Sequence, residues 1–203
     1  MTQKKYQKNQ EHINGTLLIQ LVKAAIIQRL LPEKENAAPD LSDPPPLWLK
    51  EKRGVFVTLQ KNGALRGCIG TLEPEKPLLE SVQENACHAA IDDTRFSPVT
   101  REEFEDIQIE VSLLSVPEKL YYSDVKDLLA RVVPFQDGVI VQKGYHQATF
   151  LPQVWEQLPD PESFLTQLCL KARLDAHAWQ AGDLTVFTYQ VQSFTENRGY
   201  HGH

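Results

Sequence analysis

Two period-two runs separated by Asn62-Gly63 constrain this chain more than any other feature. Val55, Val57 and Leu59 alternate with Phe56, Thr58 and Gln60, and Ala64 to Gly70 follows the Asn-Gly pair. Alternation of this kind puts the apolar set on one side of a strand. Asn and Gly both tolerate the positive φ that a type I′ turn requires. The segment is therefore expected to be a pair of adjacent antiparallel strands.

The flanking sequence supplies helices and further strands. Leu17, Leu18, Leu21, Val22, Ala25 and Ile26 recur at helical spacing, predicting an amphipathic helix that starts near Asn14 or Thr16 and ends at Pro32. Residues 32–46, with Pro32, Pro39 and Pro44 to Pro46 among acidic residues, read as an extended covering segment or linker. Leu78, Leu79, Val82, Ala86, Ala89 and Ala90 form a second helical stripe that stops near Asp92, followed by the loop Asp93-Thr94-Arg95-Phe96-Ser97-Pro98. Ile107, Ile109, Val111 and Leu113 alternate with Gln108, Glu110 and Ser112, a strand with one polar face.

Further on, 125–132 reads as a helix, and Gly138 to Gln142 with Gln147 to Leu151 as a hairpin around Lys143-Gly144. Pro152 opens a short helix. Asp160-Pro161 reads as an N-cap followed by proline at the first helical position, with the helix running to about Leu174. A last strand is expected from about Leu184 to Phe194. Interspersed strands and helices without regular βαβ punctuation predict an α+β fold with a largely antiparallel or mixed sheet. The domain is expected over 14–196, as a larger lobe (14–120 with 181–196) and a smaller lobe (121–180), with 1–13 and 197–203 as tails.

Composition narrows the function classes. A formal net charge of −6 over 203 residues disfavours a general nucleic-acid binder, whose affinity comes from clustered Lys and Arg. Three cysteines, at 68, 87 and 169, cannot all pair with one another, which points to a reducing cytoplasm. Met1 to His12 lacks the apolar stretch of a secretion signal, and Leu17 to Leu31 is too short and too polar to cross a bilayer. No CxxC pair, HExxH, P-loop, GxGxxG or GxSxG occurs, and Cys87 and His88 point in different directions on their helix, so no metal site or cofactor is expected. Trp48, Trp155 and Trp179 read as core or lobe-interface anchors.

Leu65-Arg66-Gly67-Cys68-Ile69-Gly70 carries the most chemistry. On a regular strand Leu65 and Ile69 share one face while Arg66 and Cys68 share the other, which sets a thiol beside a cation. Gly67 and Gly70 admit a close backbone or ligand. Two readings stand side by side. In one, Cys68 is a nucleophile or ligand contact, with Glu110 as a proton acceptor and Ser112 on the same polar face. In the other, Cys68 fills a small hole and Arg66 pairs with a carboxylate. Asp93 and Arg95 allow either a local ion pair or ligand binding, and Arg95 beside Phe96 offers a planar fork and an aromatic face to a carboxylate, phosphate or ring.

The order Gly54 to Thr58, Leu65 to Gly70, Asp93-Thr94-Arg95-Phe96, Ile109 to Ser112 and Phe150-Leu151-Pro152-Gln153-Val154 resembles the AMMECR domain family, whose prokaryotic members are called AmmeMemoRadiSam system protein A. The resemblance covers about 14–196. Thr94 departs from the proline frequent before the Arg-Phe pair. The resemblance implies two lobes with Arg66 to Gly70 near a cleft between them, and it brings Gln153 into the ligand-binding set. It also implies a pathway shared with a Memo-like protein and a radical S-adenosylmethionine enzyme. The three cysteines lack the CxxxCxxC pattern of such an enzyme. A substrate-binding or accessory role and a thiol-dependent enzyme using Cys68 are the two functions expected from this reading.

Overall fold

The computed structural model describes residues 13–32, 39, 41, 44–72 and 75–196. The readings of Met1 to His12, of most of 32–46 and of the 197–203 tail lie outside the described residues. In chain order the elements are α1 (Gly15–Leu30), β1 (Val55–Lys61), β2 (Ala64–Thr71), α2 (Leu78–Cys87), the one-turn α3 (Arg101–Phe104), β3 (Ile107–Leu114) and β4 (Glu118–Leu120). There follow α4 (Val125–Arg131), β5 (Gly138–Lys143), β6 (His146–Phe150), α5 (Pro161–Lys171), β7 (Thr185–Tyr189) and β8 (Val191–Thr195). The fold is α+β, with two four-stranded sheets ordered β2-β1-β3-β8 and β4-β7-β5-β6.

The chain divides into two compact units. One holds the described residues up to Leu113 and from Ser193 onward; the other is Leu114–Gln192, where the sequence led to an expectation of 121–180. In the first unit the Asn14 side chain accepts from the Leu17 N–H at 3.1 Å and so starts α1. Val55, Val57 and Leu59 of β1 and Ile107, Ile109, Val111 and Leu113 of β3 are fully buried. They meet Leu18, Leu21, Val22 and Ile26 of α1 and Val82 and Ala86 of α2 in one core. β1 pairs antiparallel with both β2 and β3. Asn62 and Gly63 have φ of 51° and 77°, the backbone of the expected type I′ turn.

Strict alternation fails in β2. Leu59 pairs with Gly67 but Gln60 pairs with Leu65, so Arg66 is the extra residue of a β-bulge. The expectation that Leu65 and Ile69 share a face is corrected here: Ile69, opposite Val57, packs on the core, whereas Leu65, opposite Gln60, is exposed on the other side. Cys68 lies opposite Thr58 and Gly70 opposite Phe56, both on the face turned away from the helices.

Helix α2 does not stop cleanly. Its last residues widen into a π-helical turn, His88–Asp92, which sequence periodicity missed. A Cβ on Gly67 would come within 2.2 Å of the Ala89 carbonyl oxygen, so this glycine is what lets the turn lie against β2. On the same helix the buried Asn85 donates from Nδ2 to the Val55 carbonyl at 3.1 Å.

The second unit has its own core, built on Val139 and Val141 of β5 and Val186 of β7. Trp155 and Phe164 stack there at 3.6 Å between ring centroids. All three tryptophans are buried, and the indole N–H groups of Trp155 and Trp179 donate to the Asp137 carbonyl and to Thr166 Oγ1. Asp160 accepts from the Ser163 N–H at 2.9 Å with Pro161 behind it, the expected start of α5. That helix ends at Lys171, where Arg173 turns left-handed (φ 60°) and the Leu174 N–H bonds back to the Cys169 carbonyl. Lys143 pairs with His146, so the second hairpin turns through Gly144-Tyr145 and not around Lys143-Gly144. The expected last strand is two: β7 belongs to the second sheet and β8 to the first, with Gln190 between them bonded at both main-chain groups to Ser115.

Asn85→Ala removes the donor that satisfies the Val55 carbonyl. Urea unfolding of this variant is expected to show a loss of about 1–3 kcal/mol with an unchanged slope.

Candidate functional site

The residues singled out around Cys68 are joined by two ion pairs that sequence reading only partly resolves. Asp93, just after the π turn, takes both Nε (2.9 Å) and Nη2 (2.7 Å) of Arg95. Its Oδ2 accepts from the Cys68 N–H at 2.8 Å, and Arg95 Nη2 donates to the Cys68 carbonyl at 3.0 Å. β2 is an edge strand of its sheet, so this carboxylate and guanidinium do at Cys68 what a neighbouring strand's C=O and N–H would do. The Arg95 guanidinium holds the Asp93 carboxyl well below the usual carboxylate range despite its burial, and the Cys68 N–H adds to this. The local ion pair expected of Asp93 and Arg95 forms.

Arg66 is held in the same manner. Its Nε and Nη2 bond to Oε1 and Oε2 of Glu103 at 2.8 and 2.9 Å, and Nη2 also donates to the Ser97 carbonyl. Lys61 Nζ adds a contact to Glu103 Oε1 at 3.3 Å. Arg66, then Lys61, lowers the Glu103 carboxyl to about 2. The Phe96 ring lies 5.8 Å from the Arg66 guanidinium carbon and 5.5 Å from that of Arg95. Glu103 was not picked out from the sequence. The signal for it is Thr100-x-x-Glu103, a capping-box pattern: Thr100 Oγ1 accepts from the Glu103 N–H at 3.3 Å and starts α3, which presents the carboxylate to Arg66.

On the sheet face turned away from the helices, Cys68, Thr58 and Glu110 stand in one row across β2, β1 and β3. Thr58 Oγ1 donates to Cys68 Sγ at 3.3 Å. Ser112 Oγ donates to Glu110 Oε1 at 3.3 Å and lies 3.0 Å from Ser193 Oγ. Gly70, Phe56 and Ser112 form the next row. A Cβ on Gly70 would come within 2.1 Å of the Phe56 ring, so the ring rests on the glycine backbone.

This geometry corrects the role expected of Glu110. β1 separates it from Cys68 by two strand spacings, roughly 9–10 Å, beyond direct hydrogen-bond reach. The carboxylate that pairs with Arg66 is Glu103. Gly67 serves helix packing, and Gln153 is exposed in the 3₁₀ turn Pro152–Glu156 of the second unit. Cys87 and Cys169 have thiols pushed up by burial. Among the described residues no group of three His, Cys, Asp or Glu is placed to hold a metal ion, and no helix is long and apolar enough to cross a membrane.

Comparison with known proteins places these features in a wider group. The family model AMMECR1 matches residues 19–194. A protein of Methanothermobacter thermautotrophicus is 40% identical over 184 residues, covering 90% of this chain and 94% of its own. A protein of Thermofilum pendens is 39% identical over 196 residues, covering 90% and 89%. The crystal structure of protein PH0010 from Pyrococcus horikoshii matches with a TM-score of 0.71 at 36% identity, covering 90% of this chain and 91% of that one.

The ion pairs set two expectations. Arg66→Ala leaves Glu103 without its bidentate partner and lowers stability by about 1–3 kcal/mol in denaturant unfolding, and Arg66→Lys recovers only part of this because an ammonium cannot make the paired contact. Glu103 has a folded-state value below its unfolded one of about 4.3. Its contribution is therefore complete above that value and is lost as pH falls toward about 2. Glu103→Gln accordingly flattens the acid limb of a urea-midpoint series from pH 6 to pH 2.

Proposed function

The chain belongs to the AMMECR1 family, and on that premise we propose that it is a substrate-binding or accessory component. In this reading it is an AmmeMemoRadiSam system protein A and acts in the cytoplasm with a Memo-like protein and a radical S-adenosylmethionine enzyme in modifying a biomolecule. The polar sheet face around Cys68, Thr58, Glu110 and Ser112 holds the ligand.

One observation carries the choice of binding over catalysis. Arg66 and Arg95, the two cations that could activate a Cys68 thiolate or grip an anionic substrate, are both bound by internal carboxylates. At the Cys68 sulfur Thr58 donates a hydrogen bond from a hydroxyl, which is not a base, and the Arg95 guanidinium that also interacts with this side chain is already paired with Asp93. A nucleophile, its base and an anion-stabilising donor are the minimum for thiol acyl-transfer chemistry, and among the described residues no base is in position beside the sulfur. Neutral hydroxyl and amide groups ranged across adjacent strands suit recognition instead. The three free thiols support a cytoplasmic site of action.

Two measurements on the full chain test this. Alkylation of Cys68 by iodoacetamide at pH 7 is expected to run no faster than that of a free thiol. Co-purification with a Memo-like protein and a radical S-adenosylmethionine enzyme from the same genome is expected to survive Cys68→Ser, with less than about a tenfold loss of affinity. A hyper-reactive Cys68, together with a folded Cys68→Ser variant as inactive as a deletion, would replace this reading with a thiol-dependent enzyme.

A further inference from the structure

The described carboxylates of the first unit that are not exposed are handled in two ways. Asp93 and Glu103 each take an arginine, and Glu196 takes Lys23. Glu110 is different. Half-buried on the central part of the sheet, it accepts a hydrogen bond from Ser112 Oγ, and among the described residues no Lys, Arg or His lies within ion-pair distance of it. A carboxylate drawn partly out of water without a counter-cation is costly, and a site that keeps one is complementary to a cation.

Its surroundings fit that complement. The side chains sharing the face are neutral: Gln60 and Thr58 on β1, Cys68 on β2, Gln108 and Ser112 on β3, and Ser193 on β8. Thr58 is directly opposite Glu110, and Phe56 is diagonal to it, opposite Ser112. The Phe56 ring leans onto Gly70 of β2, on the side away from Glu110, and presents an apolar surface one row from the carboxylate along which an aliphatic stem can lie. Thr58 and Ser112 hydroxyls each keep lone pairs that can accept from a charged donor. An anion would meet Glu110 as a like charge, with Arg66 and Arg95 each already paired to a carboxylate.

We infer that the ligand recognised on this face carries a primary ammonium group on an aliphatic stem, its charge set against Glu110 and its stem along Phe56. This rests on the binding reading above and reverses the anionic ligand that the arginines of the sequence suggest. An ammonium, a compact charge with three freely rotating donors, suits acceptors spread over separate strands better than the planar fork of a guanidinium.

The test is an ¹⁵N NMR titration of the full chain at pH 7 and low ionic strength. The ammonium probes are Nα-acetyl-lysine N-methylamide and 1,5-diaminopentane, which stand for a side chain and a free amine. Nα-acetyl-norleucine N-methylamide is the neutral match, and Nα-acetyl-glutamate N-methylamide the anionic one. Saturable shifts are expected at the amides of Thr58, Cys68, Glu110 and Ser112 with at least one ammonium probe. Binding should weaken by at least about tenfold in Glu110→Gln and by about three- to tenfold in Phe56→Leu, each with wild-type spectral dispersion elsewhere. Equal binding of the norleucine probe, undiminished binding in Glu110→Gln, or no shift with either ammonium probe overturns the assignment. Saturable binding of the glutamate probe at the same amides overturns the ammonium while leaving a binding face. The thiol results of the preceding section bear on that face's role independently.

Discussion

The geometry around Cys68 depends on one buried carboxylate. Asp93 stands 25 residues from Cys68 in sequence, yet its oxygen is the acceptor for the Cys68 N–H at the open edge of the sheet. An edge strand with that group unsatisfied would be open to water or to a foreign strand. Three conditions bring the oxygen there. The π turn ends α2 at Asp92, Gly67 allows that turn to approach β2, and Arg95 neutralises the charge that burial would otherwise penalise. Remove any one and the main chain carrying the thiol loses its fixed position.

Much of this is legible in the sequence. The Asn62-Gly63 turn, the half-polar strand ending in Ser112, the Asn14 and Asp160 caps and the buried tryptophans follow from periodicity and local hydrogen-bonding chemistry, which act over a few residues. What was not readable depends on contacts between segments far apart. The bulge at Arg66 arises from the pairing of two strands and leaves no mark in either alone. The π turn has the same apolar stripe as an α-helix. Glu103 looks like one more acidic residue in an exposed turn until α3 brings it to Arg66. The division of the last strand at Gln190 is likewise set by Ser115, not by the residues on either side of the break.

The distribution of charge changes the chemical character of the site. Read as a string, Arg66, Cys68, Arg95 and Phe96 suggest a positive pocket with a reactive sulfur. Folded, both guanidiniums belong to a frame closed by Asp93, Glu103 and Lys61, and among the described residues the sheet face beyond it has a single carboxylate among neutral groups. The charged residues that the sequence draws together are thus held in ion pairs, whereas Glu110, with no ion pair among the described residues, comes from a strand whose alternation gives no hint of it. Cys68 accordingly has a hydroxyl on one side and, on the other, a guanidinium already claimed by Asp93.

Because Gly70 has only hydrogens above its α-carbon, the benzyl group from the next strand can settle flat against peptide. A single added methyl would tip that ring upward and turn a level floor into a ridge, altering the depth of the surface without touching any polar atom on it. The contour of this face is therefore governed by a missing carbon, and a change there would alter which shapes it admits while leaving its charges as they are.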